Sequence, residues 1–107
     1  GTAVLDIRGK EKYAEGHVPG ARLAPVGLWS RAVTDGKADA AFWKQAMAAV
    51  GVSGPGVTLI VVGDDPKESC RAWWLLKLAG AKDARLLNGG WDAYTAAGGP
   101  VSREAAT

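Results

Sequence analysis

The sequence predicts an α/β domain whose mainly parallel sheet is flanked by helices on both faces. Short apolar runs rich in β-branched residues alternate with helical patterns along the chain, which is the order typical of β-α-β units. The longest of these runs, at residues 57–62, leads through an acidic loop into a helix, and open α/β sheets place their chemistry at such strand ends. A chain of 107 residues is long enough to bury one compact core.

The individual elements follow from local patterns. Apolar β-prone runs predict strands, periodic apolar faces predict helices, and Gly or Pro marks several of the ends. In chain order we predict a strand at 3–7, a helix at 10–15, a strand at 21–24, a helix at 39–50, a strand at 57–62, a helix from 65 to about 79, a strand at 84–87 and a helix at 91–97. Residues 53–56 are expected to break the chain before the central strand, and residues 103–107 read as a linker.

Composition and charge restrict the class of protein. Apolar residues make up 48% of the chain, and 13 basic against 11 acidic residues leave a formal net charge of +2, which is typical of a soluble globular domain. Since no run of Lys or Arg accompanies this surplus, we expect neither nucleic acid nor a membrane as partner. No apolar run approaches the roughly 20 residues of a membrane span. No targeting segment is recognisable either, so the sequence does not indicate a compartment.

Few side chains offer reactive chemistry. Cys70 is the only cysteine and His17 the only histidine, which excludes an internal disulfide and falls short of any usual metal-ligand set, so we expect no metal and no cofactor. His17 stands beside the turn predicted at Pro19-Gly20, and we interpret it as a ring that stabilises this turn. Asp6 and Arg8 lie on alternate positions at the end of the first strand and are expected to pair with each other or with the loop backbone.

The loop after the central strand has two interpretations. Asp65, Pro66 and Glu68 stand where a helix start places its cap, its first residue and an acidic residue of the first turn. The alternative is an anion site made of free backbone N–H groups at the helix N-terminus. Asp64, Asp65 and Glu68 would fill or repel such a site, so we favour the helix start.

The helix that follows is apolar on nearly every side. One face, expected in the core, carries Ala72, Leu75, Leu76 and Ala79. Cys70 points away from that face, toward Trp74, and we interpret it as an ordinary helical cysteine rather than a reactive thiolate. Trp73, Trp74 and Leu78 lie outside the core face, so either further core covers them or a second domain or subunit does.

Four segments together resemble the rhodanese-like domain in their order and spacing. They are VLDIR at 4–8, YAEGHVPGA at 13–21, LLNGGWDAY at 86–94 and AGGPV at 97–101. The resemblance covers nearly the whole chain, apart from an N-terminal strand and helix with which the family's domain begins. It implies a mainly parallel sheet of five strands. It also implies that the family's structural motif comprises Asp6, Arg8, His17, Pro19, Gly20, Gly89, Gly90 and Trp91.

The same resemblance implies where the family's chemistry would lie. Active members carry a cysteine at the end of the central strand, at the head of a Cys-x-x-Gly-x-Arg loop. That cysteine takes sulfane sulfur from a donor such as thiosulfate and passes it to cyanide or another thiol, while loop N–H groups and the arginine stabilise the anions. In this chain the loop equivalents are Gly63, Asp64, Asp65, Pro66, Lys67 and Glu68. The cysteine position falls at Gly63, or at Asp64 with a shift of one residue, and the arginine position falls near Glu68.

An acidic loop followed by RAWWLL is similar to the catalytically silent N-terminal half of two-domain thiosulfate or mercaptopyruvate sulfurtransferases. The first hypothesis is therefore a non-catalytic rhodanese-like domain over residues 1–107, a fragment or one half of a longer protein. Its partner would be a second rhodanese domain or another protein that binds the helix of Trp73 and Trp74. The second hypothesis is an active sulfurtransferase that uses Cys70 as its persulfide carrier. A third, a phosphatase of the same fold, needs the same missing cysteine and arginine.

Overall fold

The computed structural model describes residues 2–52, 56–87 and 89–104. Their helices and strands occur in the order β1 (Thr2–Asp6), α1 (Lys10–Glu15), β2 (Arg22–Leu23), α2 (Val26–Thr34), α3 (Ala40–Ala49), β3 (Thr58–Val62), α4 (Pro66–Leu78), β4 (Ala84–Leu86) and α5 (Gly90–Ala96). Three parts of the predicted segments lie outside the described residues: residues 53–55 of the break expected at 53–56, Asn88 of the LLNGGWDAY segment and residues 105–107 of the expected linker.

The strands form a parallel sheet in the order β2-β1-β3-β4. Strand β1 pairs with β3 over its whole length, from Thr2 opposite Thr58 to Asp6 opposite Val62, and the shorter β2 and β4 form the edges. The α/β class and the parallel sheet are thus confirmed. The number of strands is not the five that the family resemblance implies, because the described residues form four.

The main core lies on one face of this sheet. Successive strand residues point to opposite faces, so Leu5, Leu59 and Val61 share one side. They form a single buried cluster with Trp29 of α2, Trp43 of α3, and Ala72, Leu75 and Leu76 of α4. On the opposite face Val4 and Ile60 are only half-buried. Burial of this kind contributes roughly 1.5–3 kcal/mol for each large apolar side chain, which makes the α2-α3-α4 layer the main stabilising contact of the fold.

Helix α2 is the one helix of the described residues that the sequence analysis did not predict. Its N-cap is Pro25, which makes no side-chain cap hydrogen bond, and Gly27 lies in its first turn. A usual start signal is therefore absent. The spacing of Val26, Trp29 and Val33 was the available signal, because residues three and four apart share one face of a helix. Trp29 on that face is fully buried.

The start of α4 agrees with the expectation from its sequence. Asp65 has extended backbone torsions, its Oδ1 accepts a hydrogen bond of 2.9 Å from the Lys67 N–H, and Pro66 is the first helical residue. Asp39 caps α3 in the same way, through a bond of 2.8 Å from the Phe42 N–H. Both aspartates satisfy N–H groups that a helix leaves unpaired at its first turn.

Replacing Asp65 by alanine should lower the free energy of unfolding by about 0.5–2 kcal/mol, the usual value of such a cap. Urea denaturation followed by tryptophan fluorescence measures the loss. The control is Asp35→Ala, since Asp35 stands at the C-terminal end of α2, where a carboxylate caps no N–H group. A loss for Asp35→Ala as large as that for Asp65→Ala would contradict a specific capping role.

Candidate functional site

The candidate site lies at the carboxyl ends of β3 and β4. Because the strands are parallel, the loops that leave β3 at Gly63 and β4 at Leu87 emerge on the same edge of the sheet. Between them is a cleft of about 510 Å³. Three carboxylates line it, from Asp64 and Asp65 of the first loop and Asp92 of α5, and so do Ser69 and Cys70 of α4. The loop that aligns with the family's catalytic loop therefore borders an acidic cleft.

Two backbone positions of residues 63–68 have no free N–H to offer an anion. Pro66 has no N–H, and the Lys67 N–H is held by the side chain of Asp65. The Ser69 N–H donates to the Asp65 carbonyl at 2.9 Å as part of the helix. Glu68 in the first turn is exposed and adds a negative charge to this loop. The carboxylate of Asp65 thus holds one backbone N–H of the loop, and that of Glu68 stands close by.

A lysine from another element neutralises the first aspartate of the loop. Lys12 Nζ of α1 forms an ion pair with Asp64 Oδ2. The hydrogen bond to Asp64, together with the charge of that carboxylate, raises the pKa of Lys12 above its usual range. This cation is therefore already engaged by Asp64, although it lies close to the cleft. Sequence analysis missed the pair, because no pattern indicates which residues 52 positions apart will meet at the edge of a sheet.

Gly63 sits in a confined place at the end of β3. Its carbonyl accepts a hydrogen bond of 2.8 Å from the Trp91 N–H. A Cβ at this position would overlap Ser69 Oγ and lie 3.2 Å from the side chain of Ile7. The opposing loop also approaches closely: Gly90 has a positive φ of 67°, and a Cβ there would lie 2.5 Å from the Gly63 carbonyl oxygen. A side chain at Gly63 or Gly90 would therefore require neighbouring atoms to move.

Cys70 lies on the rim of this cleft. It is exposed on the second turn of α4, whereas Ala72 two residues later is buried, as the helical spacing predicts. The helical spacing predicted that Cys70 points toward Trp74 and did not indicate that it lies near the loop, yet Cys70 contributes to the lining of the cleft beside Pro66 and Ser69. Among the residues described, no group of three or more His, Cys, Asp or Glu side chains could hold a metal ion.

Asp6 and Arg8 form a buried ion pair beside the site. Arg8 Nη2 lies 2.7 Å from Asp6 Oδ2, and the Arg8 N–H donates to Asp6 Oδ1 at 2.9 Å. The same guanidinium donates to the Gly16 carbonyl at 2.6 Å and stacks 3.8 Å above the Trp91 ring. Both interactions that the sequence left open are present: Arg8 pairs with the Asp6 side chain, and it also donates to the loop backbone. Arg8 thereby joins the end of β1 to α1 and α5.

His17 is buried in the turn that follows α1. Its Nδ1 lies 2.7 Å from the Tyr13 carbonyl and its Nε2 lies 2.6 Å from the Glu104 carbonyl, and its ring stacks on Tyr13 at 3.8 Å. The Pro19-Gly20 turn is closed by a 2.9 Å bond from the Ala21 N–H to the Val18 carbonyl, and Gly20 has the positive φ of 81° that such a turn requires. These contacts are those of a ring that holds backbone in place.

The outer side of α4 is not covered by the core of this chain. Trp73, Trp74 and Leu78 are exposed, although the Trp73 Nε1–H donates to the Ala84 carbonyl at 2.8 Å. Among the residues that the structure describes, no further core buries all three side chains.

The comparisons with known proteins show which family the chain belongs to. The model of the family described as "Rhodanese-like domain" matches residues 1–97. The chain belongs to the rhodanese-like domain family. The resemblance read from its four sequence segments is thereby confirmed.

Two curated relatives are sulfur-handling proteins by name. The chain is 32% identical over 97 residues to the thiosulfate sulfurtransferase YnjE of Escherichia coli (strain K12), an alignment that covers 85% of this chain and 21% of YnjE. It is 33% identical over 95 residues to the sulfur carrier protein TtuD of Thermus thermophilus, covering 86% of this chain and 33% of TtuD. The chain thus spans a fifth to a third of the length of these relatives.

Solved structures share the fold. The crystal structure of YnjE superposes with a TM-score of 0.78 at 28% identity, covering 97% of this chain and 25% of that chain. The Rhodanese_3-like domain of the Alr3790 protein from Anabaena sp. gives a TM-score of 0.70 at 27% identity and covers 97% of this chain and 94% of that one. Within the described part of the rhodanese-like chain, no helix is long and apolar enough to cross a membrane.

Proposed function

We propose that this rhodanese-like domain is non-catalytic and serves as a structural or binding module of a sulfurtransferase or sulfur-handling protein. One observation carries the proposal: the side chain of Asp65 occupies the N–H group of Lys67 in the loop where an active member would bind its anionic sulfur donor. The loop also has Gly63 in place of the cysteine nucleophile, and no thiol replaces it in residues 63–68.

Charge opposes thiosulfate at this loop. Thiosulfate is a dianion, and electrostatic catalysis needs donors already aimed at the charge that develops. Here Asp65 holds the Lys67 N–H, Glu68 adds a like charge, and Lys12 is paired with Asp64. A dianion would meet these like charges while Lys12 is already engaged by Asp64, which is why we expect the loop to be inactive.

A second function rests on the position of Cys70, which is exposed on the rim of the same cleft. As a sulfur carrier, its thiolate would attack the sulfane sulfur of thiosulfate, forming a Cys–S–S⁻ persulfide and releasing sulfite. Cyanide would then attack the outer sulfur, release thiocyanate and regenerate the thiolate. Asp65 and Asp92, which line the cleft and form no ion pair with a described residue, would repel both anions, so we rank this alternative below the silent module.

The module would contact its partner through α4. Exposed Trp73 and Trp74 lie on this helix, and large aromatic side chains are common anchors of protein interfaces. Because the chain aligns with only 21% of YnjE and 33% of TtuD, a second rhodanese domain is one candidate partner.

Cyanolysis tests the proposed inactivity. The purified domain is incubated with thiosulfate, and separately with 3-mercaptopyruvate, before cyanide is added and thiocyanate is measured. We expect no more thiocyanate from the unaltered domain than from Cys70→Ser. Multiple turnovers that the Cys70→Ser variant abolishes would make Cys70 the sulfur carrier and overturn the silent-module proposal.

A further inference from the structure

The outer surface of α4 combines exposed aromatic rings with positive charge. We define it by Trp73, Trp74 and Leu78 together with the basic residues of the same helix, Lys67, Arg71 and Lys77. The exposed fractions of the three apolar residues are 38%, 45% and 46%, whereas Leu75 and Leu76 between them are buried. Single exposed apolar residues are ordinary, but three on adjacent turns of one helix form a patch that typically marks a binding site.

The formal net charge of +2 comes from this helix. Helix α4 has three basic residues and one acidic residue, Glu68, and the rest of the chain has ten of each sign. None of the ion pairs formed by the described residues includes Lys67, Arg71 or Lys77. The cations of this surface therefore form no ion pair with a carboxylate of the described chain.

The cations also lie close to the aromatic rings. The Arg71 guanidinium is 5.8 Å from the centroid of the Trp74 ring, and Lys77 Nζ is 5.3 Å from that of the Trp73 ring. Arg71 Nε and Nη2 donate to Ser30 Oγ of α2 at 3.0 and 2.7 Å, which fixes the guanidinium in place. An acidic group that approaches Trp74 would meet an ordered cation at the edge of an apolar contact.

We propose that the α4 outer surface docks an acidic amphipathic segment of a partner protein. The segment would pack apolar side chains on Trp73, Trp74 and Leu78 and place carboxylates against Lys67, Arg71 and Lys77. This proposal rests on the proposed function, since it names the chemistry of the partner that the binding module would take. Desolvated aromatic contacts would supply most of the affinity, and the charge complementarity would select the partner.

Single-stranded nucleic acid, which also combines apolar rings with negative charge, fits this surface less well. A nucleic acid carries a phosphate at every nucleotide, and its binding sites use basic grooves that follow the backbone. Here the two tryptophans could stack on bases, but three cations on one helix do not form a groove that follows a backbone, and Leu78 offers no ring. Asp64, Asp65 and Glu68 at the start of α4 would repel an extended polyanion that continued beyond the helix.

A phage-displayed library of random 12-residue peptides tests the chemistry of the occupant without assuming its sequence. The library is selected on the unaltered domain, and enriched peptides are synthesised and titrated by fluorescence anisotropy. We expect enriched peptides to be acidic with at least two large apolar residues, and their dissociation constants to rise at least tenfold for Trp74→Ala. The charge variant Lys67→Gln/Lys77→Gln should weaken binding at least threefold at low salt and little at high salt.

The matched controls are Val101→Ala, which truncates a half-exposed apolar residue on the C-terminal segment outside α4, and Lys10→Gln/Lys44→Gln, which removes two exposed lysines from other helices. Neither should alter binding. Circular dichroism and thermal unfolding confirm that each variant is folded.

Three outcomes of the selection would overturn the proposal: no enrichment, enrichment of neutral or basic peptides, or affinities unchanged by Trp74→Ala. Tighter binding of a 15-residue oligothymidylate than of any selected peptide would also overturn it, in favour of nucleic acid.

The outcome of peptide selection does not depend on the outcome of the cyanolysis assay. Thiocyanate production would overturn the silent-module proposal while leaving peptide binding intact. Loss of peptide binding with no thiocyanate would overturn only the docking proposal.

Discussion

Methionine in place of Arg8 should lower the free energy of unfolding by about 3–5 kcal/mol, because the change leaves the buried Asp6 carboxylate without its cation. The side chains of this pair are 0% exposed for Asp6 and 3% for Arg8, so water cannot take the place of the guanidinium. The variant also loses the donor to the Gly16 carbonyl and the stacking on Trp91. Methionine keeps much of the volume of the arginine stem, so the loss reports charge and hydrogen bonding more than a cavity.

The chain contains a matched control for this experiment. Asp83 and Arg85 form a second ion pair at the same spacing of two residues, with Arg85 Nε 2.9 Å from Asp83 Oδ1, but on an exposed edge of the sheet. Arg85→Met should change the stability little, since exposed pairs are screened by water. Urea denaturation of the two variants gives the comparison. Equal losses, or a small loss for Arg8→Met, would contradict the view that burial makes the Asp6–Arg8 pair essential.

A variant that lacks both charges shows how much of the loss in Arg8→Met comes from leaving the Asp6 carboxylate buried without a cation. Asp6→Asn/Arg8→Met leaves no isolated charge, so it should recover part of the loss seen with Arg8→Met alone. A double variant as unstable as the sum of the single variants would indicate that Asp6 and Arg8 act independently.

Most of the fold could be predicted from the sequence, because its elements have strong local signals. Helix α1 has the predicted bounds, and β1, β3, β4 and α5 differ from them by one residue at one or both ends. Asp65 and Pro66 specify the start of α4 through hydrogen bonding and a fixed torsion, which are local effects. Helix α2 lacks such a signal at its start, and it is held by the burial of Trp29, a contact that depends on the tertiary structure.

The candidate site was less predictable, because its decisive contacts join distant parts of the chain. The sequence indicated that the loop lacks a nucleophile and has an acidic helix start. It did not indicate that Lys12 would pair with Asp64, that Ser69 would lie against Gly63, or that Asp92 would face the loop. These contacts follow from how the ends of β1, β3 and β4 meet, which a one-dimensional pattern does not specify.

Motif residues and loop residues have different roles in this chain. Arg8, His17 and Trp91, which carry the family resemblance, make backbone or buried contacts that stabilise the scaffold. Asp65 precedes α4 and Glu68 lies in its first turn, and their side chains make none of those scaffold contacts. Substitutions of these two residues can therefore test our proposal while the scaffold contacts stay in place.

Gly63→Cys alone should leave thiocyanate production from thiosulfate at background. The new side chain would overlap Ser69 Oγ, which must rotate or shift to admit it. Asp65 would still hold the Lys67 N–H, and Glu68 would still oppose an anion. Initial rates of cyanolysis measure the effect, and robust multiple turnovers from this single change would contradict our account of the loop.

Restoring the whole loop pattern should have the larger effect. Gly63→Cys combined with Pro66→Gly and Glu68→Arg recreates Cys-x-x-Gly-x-Arg, adds a backbone N–H and replaces a negative charge by a positive one. Preorganised donors of this kind each change rates by about 100-fold, so the triple variant should exceed Gly63→Cys by at least about that factor. Pro66→Gly/Glu68→Arg without the cysteine is the control and should stay at background. If the triple variant is folded and gains nothing over Gly63→Cys, Pro66 and Glu68 do not limit activity. The cause must then lie with the carboxylates that remain, which are Asp64, Asp92 and Asp65 with its bond to the Lys67 N–H.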